Sequence, residues 1–266
     1  MMGPSHALSG AAVWLAGTTA LEFLTDVHQS PLEIAVGTAV CAGGALLPDI
    51  DLSGRVRTGE GGATVAHTFG RVSLAVAEVA EKFSLVVYNL TRLRDDPERA
   101  NGHRTLTHTL PFAAGMGALT TWACNAGGTW AVLGVLFLML GLALRGLFHT
   151  FAEKLGWLLI TALSAGAAYG TYVLLPADRG YPLLGFAVGV GCLVHMLGDI
   201  ITRAGVPIPW PIPTGRRLWR MVGVPNVVAL EVGGKGEAFL RGALTVVSVA
   251  AAVALVVPAV IERLNL

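Results

Sequence analysis

The stretch PLLGFAVGVGCLVHMLGDII, residues 182–201, decides the fold of this chain. It carries no charge from Pro182 to Val194 and, with its last turns, reaches the roughly 20 residues a helix needs to cross a bilayer. His195 and Asp199 arrive at its end. Ionisable groups beside a membrane span are expensive unless they are paired or functional. Four positions apart on a helix, these two share one face, so an imidazole and a carboxylate can bind one ion or two neighbouring ions. Thr202 continues that face.

Working outward, the whole chain is of the same kind. Of its 266 residues 54% are hydrophobic and 13% charged, against roughly 25% charged in a soluble domain. That excludes a soluble enzyme and leaves room for a single integral membrane domain over residues 1–266. The expected fold is an all-α polytopic bundle of about seven spans, near residues 7–24, 31–47, 109–124, 129–149, 155–175, 182–201 and 239–261. The first run has no basic segment before it and reads as a retained span rather than a cleaved signal. Residues 65–90 set an apolar stripe beside Glu78, Glu81 and Lys82 at helical spacing, the pattern of an amphipathic helix lying in the interface. A Pro-rich connection over residues 203–238, cytoplasmic or re-entrant, carries Trp210 and Trp219, which suit the headgroup level. Cys41, Cys124 and Cys192 lie inside apolar runs without pairing pattern and read as small buried hydrophobes.

Three further motifs interrupt the apolar chain: His6, Asp49-Ile50-Asp51 after Pro48, and His103-Arg104-Thr105-Leu106-Thr107-His108. If His6 lies on side A, span one leaves that side and span two returns, placing Asp49 and Asp51 on side A. The interfacial helix stays there, and span three leaves just after His108. Spans four and five return and leave, and span six delivers His195 and Asp199 to side A again. All four motifs are therefore expected on one membrane face. Lys and Arg gather on that face too, including Arg55, Arg57, Arg92, Arg94, Arg99, Arg203, Arg216, Arg217 and Arg220, with only Arg179 and Arg263 opposite. By the positive-inside rule the amino terminus and the site face the cytoplasm. The net charge of +1 gives no reason to expect a nucleic-acid partner.

Asp49 and Asp51, in an extended segment after Pro48, point both carboxylates one way. His103 and His108 diverge on a single helix and converge only if the chain turns between them. His67 shares the face and stays open as an extra ligand. Histidine and carboxylate donors suit zinc, with manganese or iron possible, and one to three divalent ions fit the inventory. The expected ligands are His6, Asp49, Asp51, His108, His195 and Asp199. His103 is either a ligand or a proton donor, and Arg104 is placed to hold a phosphate through its fork of donors.

His6, the element Leu46-Leu47-Pro48-Asp49-Ile50-Asp51, the His103–Thr109 run and His195–Thr202 together resemble the YdjM-type family of inner-membrane metal-dependent hydrolases. The resemblance covers His6 to about Pro213 and implies a hydrolase whose substrate it does not define. More distantly, the His/Asp pattern is similar to zinc phospholipase C and P1-type nucleases. The chain departs from those in having one clear HxxxD element and no amino-terminal Trp.

The leading expectation is a metal-dependent phosphoester hydrolase acting on a membrane lipid or lipid-linked phosphate at the cytoplasmic surface, where basic residues favour an anionic headgroup. A transporter or metal-ion carrier could use the same residues, but it predicts ionisable groups near mid-membrane and an inverted repeat. A scaffold that needs metal only to fold is the third reading. The Gly185–Gly189 pair permits close helix packing, within the chain or between copies, and leaves the oligomeric state open.

Overall fold

The computed structural model describes residues 1–25, 27–53, 63–175 and 180–264; Arg55, Arg57 and Arg179 lie outside them. Its helices are α1 (Gly3–Leu24), α2 (Pro31–Gly44), the short α3 (Ala63–Ala66), α4 (Arg71–Thr91), α5 (Leu110–Leu147), α6 (His149–Leu174), α7 (Gly180–Ile200) and α8 (Lys235–Leu264). The protein is an all-α polytopic bundle. Among the described residues six helical segments are long and apolar enough to cross a membrane: α1, α2 with the turn that follows it, α5, α6, α7 and α8.

The longest of these accounts for the expected seventh span. As a straight rod, the 38 residues of α5 would run about 57 Å at 1.5 Å per residue, far beyond a hydrocarbon core of about 30 Å. Gly128 breaks it with φ 57° and ψ −146°, a left-handed φ that costs glycine nothing. The chain reverses there, because both arms end at the same end of the bundle. The first arm begins beside His108, and Gly146 near the end of the second abuts Ala7 and Leu46. Residues 110–127 and 129–147 are thus two adjacent membrane-length arms.

Small residues let the central helices approach closely. Gly43 of α2 lies against the Met139 backbone, Gly44 against Val188, and Gly191 of α7 against Cys41 and Ala45. The Gly185–Gly189 pair packs within the chain, facing Gly117 and Thr121 of α5. Cys41, Cys124 and Cys192 are free and buried, as small hydrophobes.

Helix α4 is not of spanning type and carries its apolar stripe outward. Val72, Val76, Val79, Phe83, Val86 and Leu90 are exposed at steps of three and four, while Ser73, Ala77, Ser84 and Tyr88 are buried. A helix that turns small and polar residues to the protein and a hydrophobic stripe away suits a membrane interface. The 201–234 connection is joined to the loop after α4 by buried Asp96, which accepts from the Leu93, Leu218 and Trp219 amides. Trp219 is buried between Tyr88 and Trp210, which corrects its expected role as a headgroup anchor: its ring is core for this loop pair.

Candidate metal centre

Five pieces of chain meet at one end of the bundle. The first turn of α1 brings His6, and buried Glu237 fixes that turn to α8 by accepting from the Met2 amide at 2.7 Å and the Gly233 amide at 2.8 Å. After α2 the chain forms a 3-10 turn, Leu47–Asp51, with Asp49 and Asp51 buried. The extended segment expected there is therefore wrong. Proline's fixed φ suits the first turn of a helix, and Pro48 starts one. A second 3-10 turn, Leu106–His108, precedes α5, and the last turns of α7 carry His195 and Asp199.

Between His103 and His108 the chain turns through Arg104, which has φ 57°, a strained conformation for a side-chain-bearing residue and one that concentrates at functional sites. Gly102 makes the turn possible by lying directly on the α4 backbone at Glu81 and Leu85, where a Cβ has no room. Arg104 Nη2 pairs with Asp199 Oδ2 at 3.0 Å, and Nη1 reaches Thr202 Oγ1 and the Gly205 carbonyl at 3.3 Å.

Hydrogen bonds at the outer nitrogens fix how the histidines point. His195 Nδ1 donates to the Ala45 carbonyl at 2.7 Å, so its Nε2 carries a free lone pair. Thr107 Oγ1 donates to Asp51 Oδ2 at 2.5 Å and lies 2.9 Å from His108 Nδ1. With its proton committed to Asp51, the hydroxyl accepts from Nδ1–H and leaves His108 Nε2 free as well. Asp51 thus orients histidines, since its other oxygen lies 2.8 Å from His103 Nδ1. Outer partners of this kind set tautomer and basicity in metal sites.

The two free Nε2 atoms lie 3.2 Å apart, both rings fully buried. His195 Nε2 is 3.6 Å from Asp49 Oδ1 and 3.7 Å from Asp199 Oδ2; His108 Nε2 is 3.7 Å and 3.6 Å from the same oxygens. Facing lone pairs between two carboxylates require a cation, a proton or a metal ion. Tetrahedral ligands at 2.0–2.1 Å from zinc stand about 3.3 Å apart, close to these spacings. His6 adds a second sign of the same need. It is buried and stacked on His195 at 3.7 Å, and its Nε2 lies 3.3 Å from Asp199 Oδ1, yet neither ring nitrogen has hydrogen-bond geometry, a cost that a ligand role would remove.

Two sets of three donors have ligand atoms mutually within 4.8 Å: His6, His195 and Asp199, and Asp49, His103 and His108. Neither includes His67 or Asp51. The Met1 α-amino group pairs with Asp199 Oδ1 at 2.5 Å. His103, at the outer edge, has a side chain 21% exposed. Burial alone would pull its imidazole down, but Asp51, with Asp49 behind it, outweighs burial and holds it above the ordinary histidine value.

All eight residues singled out in the sequence are brought into this cluster. Sequence reasoning missed Thr107, the Ala45 carbonyl, Glu237 and Asp96. The Thr107 hydroxyl, three residues from Arg104 and next to His108, was the one available signal. Neither the curated proteins nor the solved structures gave a match to this chain. The model of the YdjM inner membrane protein family matches residues 1–264, and the chain belongs to that family.

Proposed function

We propose that this protein is a membrane-bound, metal-dependent hydrolase of a phosphoester, carried by a lipid or lipid-linked phosphate and reached from the cytoplasmic leaflet. The observation that carries the reading is the pair of buried Nε2 atoms facing each other between Asp49 and Asp199. His6, Asp49, His108, His195 and Asp199 would hold the metal, with zinc favoured by the donor set. A divalent ion bound there would polarise a phosphoryl oxygen and lower the pKa of a water to about 7.

The chain's own groups divide the remaining work. Arg104, braced by Asp199 and Thr202, directs its guanidinium at the cluster and supplies charge-assisted donors for a phosphate. Asp51 and Thr107 keep His108 in one tautomer, and the Ala45 carbonyl does so for His195. Burial of His6, His108 and His195 keeps bulk water away from the reacting phosphate, while His103 marks the edge that reaches the outside.

Orientation follows from charge. Arg92, Arg94, Arg99, Arg203, Arg216, Arg217 and Arg220 belong to the loops next to the cluster, which supports a cytoplasmic site facing anionic headgroups. A carrier would place its ion near mid-membrane, whereas these donors sit at helix ends.

The test is phosphate release from phosphatidic acid and isoprenyl phosphates by protein in nanodiscs, with and without chelator. Release abolished by chelator, restored by Zn2+ or Mn2+ and lost in Asp49→Asn is expected. Metal-loaded protein that releases no phosphate from any of these lipids would overturn the phosphoesterase.

A further inference from the structure

We infer that the cluster holds two ions, one on His6, His195 and Asp199 and the other on Asp49, His103 and His108. This rests on the metal-site reading above and goes beyond it by assigning a second ion and giving His103 a ligand's role.

A single ion has a natural seat among His108, His195, Asp49 and Asp199, whose donor atoms stand 3.2–3.7 Å apart along the five measured edges. That seat has two faults. It closes four protein ligands around the ion, the arrangement of structural zinc, whereas catalytic zinc keeps a position open. It also leaves both buried His6 nitrogens without a hydrogen bond, Nε2 standing 3.3 Å from Asp199 Oδ1 outside bonding geometry, and leaves His103 Nε2 without a task although Asp51 anchors its Nδ1.

Dividing the donors removes both faults. Each set contains two histidines and one aspartate, three ligands of the kind that hold open-site zinc or iron. His6 gains a ligand's role beside Asp199, and His103, His108 and His195 each use the nitrogen opposite their anchored Nδ1. Formal charge permits it. Asp49, Asp51 and Asp199 against Arg104 and the Met1 α-amino group leave one negative charge. Two divalent ions turn this into a positive excess beside Arg104, complementary to a phosphate dianion. Two ions at about 3.5–4 Å can clamp attacking and leaving oxygens of a phosphoryl transfer.

The experiment is metal stoichiometry. Protein is stripped with chelator, dialysed against Zn2+ or Mn2+, and analysed by plasma mass spectrometry. The parent should hold two ions per chain, and His6→Gln and His103→Gln should each hold one, the retained ion reporting an intact fold. Mn2+-loaded parent should show the exchange-coupled EPR signal of neighbouring ions, a readout independent of variant folding. One ion in the parent, or two in both variants, overturns the inference and leaves the hydrolase reading standing. No ion at all removes both.

Discussion

Thr107 shows how much of this site depends on groups that never touch the centre. Its hydroxyl has one proton, committed to Asp51, and one acceptor position turned to His108. Thr107→Val keeps the shape and removes both bonds, freeing His108 to protonate Nε2 instead of Nδ1. The expected result is a 10–100-fold loss of metal affinity, typical when such an outer partner is removed. Thr107→Ser should restore most of it. Equilibrium dialysis of both variants checks the pair; equal losses would mean the hydroxyl does no orienting. Ligand candidates were legible at this scale because histidines and aspartates stand out in an apolar chain. Thr107 was not, since a threonine in a loop has many ordinary uses and only the fold shows which two groups it joins.

At the scale of elements, legibility followed period. His195 and Asp199 converge because a helix repeats every 3.6 residues, and the structure adds only the carbonyl that turns the ring. His103 and His108 converge for a reason no period contains: a left-handed residue at Arg104 and a 3-10 turn after it, held against α4. The Gly102 contact gives that dependence a test. Gly102→Val puts a side chain where the Glu81 carbonyl already lies, so the loop must lift from α4, at roughly 1–3 kcal/mol for overpacking. A lowered melting temperature with weaker metal binding is expected. Gly134, whose surroundings are open, is the control, and Gly134→Ala should change neither. The outward stripe of α4 is the other element-level feature the sequence disclosed, though not which way it faced. A nitroxide at Val79 should collide more with oxygen than with an aqueous nickel complex; the reverse would take α4 out of the interface.

The whole molecule adds what no motif carries, the return of five chain segments to one end of a bundle. Counting spans anticipated this because the number of crossings fixes which side a segment reaches, and it held because α5 folds back at Gly128. Cytoplasmic orientation is testable with single cysteines. Arg99→Cys and Arg203→Cys should both react only with reagent admitted from the cytoplasmic side, and labelling from opposite sides would break the arrangement. The central claim is that this gathering of histidines and carboxylates binds a divalent metal. X-ray absorption at the zinc edge of loaded protein tests it most directly. Nitrogen and oxygen ligands at about 2.0–2.2 Å with the outer-ring scattering of imidazole are predicted. A shell of sulfur at about 2.3 Å, or oxygen alone without imidazole, would contradict it.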